Sequence, residues 1–362
     1  CNPEIDKDGD NIPDNLDVDG SINWSNCNLT RLDLSNRDLS NANLQGVNLY
    51  QANLSNADLS GADLSESSLY EANLSNTDLS GADLSHTQIY KAKQVNTNFT
   101  HANLSYANLC GAHVDEFDFT GVDFSYTDFD HAYLNSAILK DATVRHTNFH
   151  DSTLTKVNLS DKDLTGTILT EADLSNSNLS GVDLSDKDLT GTILTGADLS
   201  NTILTDVDLS GMDLTRTIFR NVDLSDKDLT GTILGGADFT GAILPDDYIT
   251  ADDLSGRELT GMILEEVDLS GKDLTGARMV RLDLSGMDLT DTILTDANLT
   301  GTNLTGSILT NTNLTGINLA GAKLINVDLS GMDLTGAILR GTNFANTNLT
   351  GINLSGAKLV SV

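Results

Sequence analysis

The chain has 362 residues, 53 Asp and Glu against 20 Lys and Arg, and a formal net charge of −33. No nucleic-acid partner is expected of so acidic a surface, because phosphate contacts need clustered Lys and Arg. No apolar run reaches 18 residues, so no membrane-spanning helix is expected either.

In chain order, residues 1–20 form an acidic segment distinct from the remainder, 21–362. Asp6, Asp8, Asp10, Asp14 and Asp17 stand at loop places 1, 3, 5, 9 and 12 of a twelve-residue stretch, with the Ile12 carbonyl at place 7. That is the ligand spacing of a calcium loop. Asn11 replaces the usual Gly, which its tolerance of left-handed backbone allows, and Asp17 replaces the usual bidentate Glu. The stretch resembles the Asp-rich calcium repeats of thrombospondin type 3. Calcium is the ion this implies; the alternative is a merely acidic linker. Cys1 opens the chain without an initiator Met. It is expected to be lipidated as in a mature bacterial lipoprotein, giving membrane anchoring, or to pair with Cys27, or to mark a trimmed chain.

From Trp24 onward a large apolar residue stands at every fifth position up to Leu359, which gives 68 such places without an insertion. With that residue at place i, the unit is Ala-Asp/Asn-Leu-Ser/Thr-Asn/Gly over i−2 to i+2, as in Ala57-Asp58-Leu59-Ser60-Gly61. Repeats of this kind are settled before any other feature. A longer period of 20 is superposed: Asn48-Leu49-Tyr50-Gln51-Ala52 returns as Ser68-Leu69-Tyr70-Glu71-Ala72 and again as Gln88-Ile89-Tyr90-Lys91-Ala92. These units resemble the pentapeptide-repeat family. The resemblance implies an all-β chain folded as a right-handed parallel quadrilateral β-helix, a solenoid of about 17 coils, with i and i−2 facing inward. Asp at i−1 then faces solvent, where it serves solubility or makes a cation-coated or DNA-like surface.

No catalytic constellation emerges. All six His lie between residues 86 and 150, yet the coil register spreads His101, His113 and His131 over three faces, and only His146 and His150 are neighbours. No zinc set, P-loop, dinucleotide fingerprint or nucleophile elbow is present. The same stretch predicts two surface columns. Tyr50, Tyr70 and Tyr90 share place i+1 of one face, continued by Cys110, Asp130 and His150. His86, Tyr106, Tyr126 and His146 share i+2 of the preceding face. Rings repeated at about 4.8 Å stack offset, which either stabilises the coil or offers a lateral contact or ligand patch.

Four departures break the pattern. Gln94 is the only polar residue at i and predicts a kink or an exposed corner. Phe117 takes the small i−2 place beside Phe99, Phe119, Phe124, Phe129 and Phe149, which predicts local swelling. Lys162, Lys187, Lys227, Lys272, Met212, Met287 and Met332 also take i−2, where long stems are expected to carry their heads out to water. Asp247 and Asp252 at i−2 predict an outward bulge.

The C-terminal residues Leu359, Val360 and Val362 carry no recognisable cap, and the next i place falls on the face of Trp24. Head-to-tail stacking of copies into an open filament is therefore expected, since a heterologous contact of this kind does not close. The sequence thus favours a secreted structural protein at the cell surface or outside it, polymerising with calcium. A monomeric lipid-anchored adhesin and, more remotely, a DNA-mimicking topoisomerase inhibitor are the alternatives.

Overall fold

The computed structural model describes residues 22–229, 231–245, 248, 254–260 and 267–360. Two compact units make up the chain, Cys1–Asp198 with Thr202–Val207, and Leu199–Asn201 with Asp208–Val362. Both are built from one kind of coil. In the first, Asn23 pairs with Asn43, Asn28 with Asn48, Asp33 with Asn53 and Asp38 with Asp58; in the second, Asp283 pairs with Asn303 and Lys323 with Asn343. Every such bridge is parallel and joins residues 20 apart, so the predicted coil of four pentapeptides is the one formed.

Each place in the unit has its own task. The N–H at i donates to the coil that follows, Leu34 to Asn53 O at 2.8 Å, and the N–H at i−1 donates to the coil before, Asn53 to Leu32 O at 2.8 Å. A tight turn closes each side, with Cys27 N–H on Trp24 O at 3.0 Å and Ala42 N–H on Leu39 O at 3.1 Å. The third residue of that turn, i+2, takes φ of 57° at Asn26 and 64° at Gly46. A type II turn demands this left-handed residue, which is why Asn and Gly recur there. The i−1 side chain braces the same turn. Ser35 N–H donates to Asp33 Oδ1 at 3.1 Å, and both the Ser40 N–H and hydroxyl reach Asp38 Oδ1, at 3.1 and 2.7 Å. Such local bonds are what Asp and Asn offer in turns.

Inside, Leu34, Leu54 and Leu74 are buried in one column, flanked by small residues such as Ala52 and Ala72. Thr at i−2 is accommodated because its hydroxyl finds a carbonyl in the coil before: Thr77 Oγ1 donates to Leu54 O at 2.8 Å and Thr127 Oγ1 to Leu104 O at 2.7 Å. Burial of these stacked apolar side chains, about 1.5 to 3 kcal/mol for each Leu, supplies the driving force.

Where i−2 is long, the ladder lapses. Among the described residues no bridge joins Asn98 to Asp118 beneath Phe117, Thr143 to Asp163 at Lys162, Ile168 to Asp188 at Lys187, Asp208 to Asp228 at Lys227, Asp268 to Asp288 at Met287, or Asn313 to Asp333 at Met332. The swelling expected at the Phe cluster takes this form, with the Phe117 ring 6.3 Å from Phe99 and 5.9 Å from Phe119. The lysines correct the expectation that stems escape to water. Lys162 Nζ donates to Ala142 O at 2.9 Å and Lys187 Nζ to Thr167 O at 3.3 Å, both half-buried. Lys227 is only 7% exposed and pairs with Asp226 at 3.2 Å. A carbonyl freed from the ladder, or a neighbouring carboxylate, holds each head inside the wall.

At Gln94 the expected kink forms, a bend over residues 95 and 96 in place of the regular turn, while the expected exposed corner is corrected. Gln94 sits on no exposed corner: it is 6% exposed, and neither amide atom has a partner. The apolar column beneath it keeps the side chain inside although its polar ends go unmet. The bulge expected around Asp247 and Asp252 lies outside the described residues.

Candidate binding surface

The i+2 corner of the first unit carries a continuous stack of four rings. His86 and Tyr106 are 4.7 Å apart at 9°, Tyr106 and Tyr126 are 4.6 Å apart at 4°, and Tyr126 and His146 are 4.5 Å apart at 6°. The left-handed φ of all four, 58° at His86, 59° at Tyr106, 61° at Tyr126 and 57° at His146, throws each ring outward at the same angle. Because the rings cover one another's faces, the solvent meets their edges. Tyr106 and Tyr126 remain 49% and 47% exposed, so the column is an apolar strip with a row of hydroxyls along its rim.

The neighbouring column is cationic at its margins. Tyr50, Tyr70 and Tyr90 stack at 5.6 Å per step. Arg31 stands 5.8 Å over the Tyr50 ring, and Lys91 lies 5.8 Å from the Tyr70 centroid and 5.0 Å from Tyr90. A hydrogen bond with the Tyr70 side chain, helped by both phenols, holds the Lys91 ammonium above its usual range. Arg31 Nε also donates to Gln51 Oε1 at 2.8 Å, and Gln51 Nε2 to Glu71 Oε2 at 2.6 Å. The structure stacks Tyr50, Tyr70 and Tyr90 in one column and His86, Tyr106, Tyr126 and His146 in the other, as the sequence placed them, and leaves His150 out of both stacks.

Farther along that corner the column changes character. His131 Nδ1 lies 2.8 Å from Asp130 Oδ1 and its Nε2 lies 3.3 Å from Asp151 Oδ2 in the next coil. The Asp130 hydrogen bond and charge, with Asp151 and Glu171 beyond, push the imidazole pKa up. His150, expected beside His146, meets the His131 ring edge-on at 6.1 Å and places Nδ1 2.9 Å from Thr170 Oγ1. Cys110 is a free thiol whose pKa is raised by burial and by Asp130. Among the described residues no group of three or more His, Cys, Asp and Glu is arranged to hold a metal ion.

Sequence reasoning missed a third stack, His113 on Tyr133 at 4.5 Å and 4°, although the 20-residue spacing at i−1 carries the signal. It also missed a buried brace in the second unit. Glu258, 4% exposed, accepts from Gly236 N–H at 2.7 Å, Thr260 N–H at 3.0 Å and Arg278 Nε at 2.7 Å. Tyr248 donates to Glu258 O at 3.3 Å, and burial pushes its pKa up to about 12. A charged side chain at i−1 that pairs with Arg at the same place one coil on is not distinguishable in sequence from the many solvated ones.

The other predicted positions fall as follows. Trp24 is buried at 3%, while Leu359 and Val360 are 50% and 55% exposed. Cys27 is disulfide-bonded. Cys1, Val362 and the calcium-loop residues Asp6, Asp8, Asp10, Ile12, Asp14 and Asp17 lie outside the described residues. No helix among those described is long and apolar enough to cross a membrane.

Parallel coils of 20 residues, an inward Leu column on each side and turns braced by Asp and Asn define a pentapeptide solenoid. The chain belongs to the pentapeptide repeat family, whose model matches successive stretches from residues 27–66 to 337–362, and its fold is the right-handed quadrilateral β-helix. Similar solved structures include HetL, a pentapeptide repeat protein involved in heterocyst differentiation regulation from the cyanobacterium Nostoc sp. strain PCC 7120. It is 29% identical over 63% of this chain and 94% of its own, with a TM-score of 0.29. QnrB1, a plasmid-mediated fluoroquinolone resistance protein, is 22% identical over 52% of this chain and 92% of its own, with a TM-score of 0.27. A pentapeptide repeat protein of the Arabidopsis thaliana thylakoid lumen is 28% identical over 30% and 66%, with a TM-score of 0.15. No curated protein matches the chain.

Proposed function

We propose that this protein is a non-catalytic structural solenoid that works at or outside the cell surface by associating with copies of itself, coil upon coil, with calcium held by the acidic segment. The observation that carries this reading is the recurrence of one ladder bond in both units. Leu44 N–H on Asp63 O at 2.7 Å and Leu339 N–H on Lys358 O at 2.9 Å are the same bond, and where the ladder is regular each coil presents to the next the donors and acceptors it receives from the one before. A surface that repeats by translation is complementary to itself, and contacts of that kind propagate. The charge of −33 opposes such association, so divalent cations and salt favour it.

Light scattering and negative-stain microscopy over a concentration series, with and without calcium, test the proposal. Growth of extended assemblies that increases with calcium is the expected result. A monomer at high concentration with calcium and salt present overturns it and leaves an anchored, monomeric surface adhesin as the reading. Calorimetry assigns the ion separately: Asp10→Ala with Asp17→Ala abolishes the calcium heat if residues 6–17 are the site.

A further inference from the structure

Few cations are available to this chain, 20 Lys and Arg in all, yet four of them converge on one groove of about 870 Å³ in the first unit. The groove opens where the coil ladder lapses. No bridge joins Ile138 to Asn158 or Thr143 to Asp163, and the Lys162 stem occupies the gap. Two of the four cations are committed. Lys162 holds Ala142 O and feels Asp141, and Arg145 Nε pairs with Asp163 Oδ2 at 3.2 Å. Lys140 and Lys156 line the same groove with no ion pair or side-chain hydrogen bond among the described residues. In a protein otherwise covered by carboxylates, two uncommitted ammonium groups facing one cleft make a local well for an anion.

The remaining lining narrows the ligand. Ile138, 49% exposed, gives the groove an apolar wall, and Ser160 and Asn158 supply neutral donors and acceptors beside the lysines. The Asp161 carboxylate, which also lines the groove, accepts hydroxyl protons. A cleft of this volume accommodates a small molecule of a few rings. We propose that the groove over residues 136–163 binds an anionic sugar, a hydroxyl-rich ring carrying one acidic group, with Lys140 and Lys156 on the acidic group and Asp161 and Ser160 on the hydroxyls. A uronic acid and a sugar phosphate share this chemistry.

Titration calorimetry on the full chain tests it with glucuronate and glucose 6-phosphate as probes, against neutral glucose and inorganic phosphate. At least one anionic sugar is expected to bind more tightly than either control, and which one binds identifies the source of the acidic group. Lys140→Gln with Lys156→Gln, both exposed and outside the core, lowers that affinity at least tenfold, while Lys93→Gln, an exposed lysine elsewhere, leaves it unchanged. Failure of both sugars to bind, inorganic phosphate binding as tightly as either, or equal affinity in the double variant overturns the proposal.

Discussion

Lys162 Nζ donates to Ala142 O, the carbonyl that the Asp163 N–H takes wherever the coil ladder is regular. Asn53 N–H on Leu32 O and Asp63 N–H on Ala42 O show the regular bond, with the same spacing of 21 residues. One side chain too long for its place has thus exchanged a backbone partner for its own head. Lys187 repeats the exchange at Thr167 O.

Replacing Lys162 with Ala is expected to close the ladder. Asp163 N–H then regains Ala142 O, and a half-buried ammonium, whose pKa burial holds down, is removed. Stability should rise by about 0.5 to 1.5 kcal/mol. Thermal unfolding, with hydrogen exchange at the Asp163 amide, measures both halves. An unprotected amide in Lys162→Ala contradicts the exchange of partners.

Gln94→Leu should stabilise the first unit by about 1 to 3 kcal/mol, because two buried polar atoms without partners are replaced by the apolar group of the surrounding column. Denaturant unfolding of the variant against the parent decides this, and a loss of stability speaks for a hidden partner of the amide.

Leu204→Asp is expected to cost more than about 4 kcal/mol, since Leu204 is 2% exposed and an unpaired carboxylate would enter the wall of the tube. Limited proteolysis should find new cleavage near residue 204. Unaltered melting and protease resistance are incompatible with an inward i.

Acid should loosen the turns in concert. The Ser35 hydroxyl and N–H hold Asp33 below the usual carboxylate range, and Ser40, Thr165, Ser185 and Thr190 do so for Asp38, Asp163, Asp183 and Asp188. Carboxylates held low in the fold contribute stability that is complete above their unfolded value, about 3.9, and lost as pH falls through the lowered one. His131 runs oppositely: its raised pKa means a contribution present below about 6.5 and lost as pH rises through the folded value. Melting temperature against pH, in the parent and in His131→Gln, separates the two. A curve for the variant that parallels the parent between pH 5 and 8 removes the His131 contribution.

Much of this fold was legible because one residue in five repeats its surroundings. Leu54 and Leu74 meet the same neighbours, so place alone fixes burial, and the ring columns from Tyr50 and His86 follow by adding 20. What escaped depends on sizes and angles that place does not encode. Whether Lys162 turns outward or inward is settled by the carbonyl at Ala142, and whether Gln94 leaves the core is settled by the apolar residues above and below it. The Lys140 and Lys156 pair was hidden for the same reason: the two residues hold different places, i+1 and i+2, on different faces, and only an opened coil puts them in one groove.

Glycine at the left-handed corner has a consequence for the ring column it borders. A Cβ on Gly166 would stand 2.0 Å from His146 Nδ1, so the ring occupies the volume that any other residue would claim. At the opposite side, Gly46 stands two coils ahead of His86 in the same column, with Glu66 between. The column is therefore a phrase closed by a charged residue at one end and a space at the other: its length is written by which residue takes the corner, and it is free to change by whole coils. Exchanging one corner residue lengthens or shortens the aromatic strip by about 4.8 Å and leaves the tube beneath it untouched. Evolution, or an engineer, can thus edit the surface as text while the core keeps its metre.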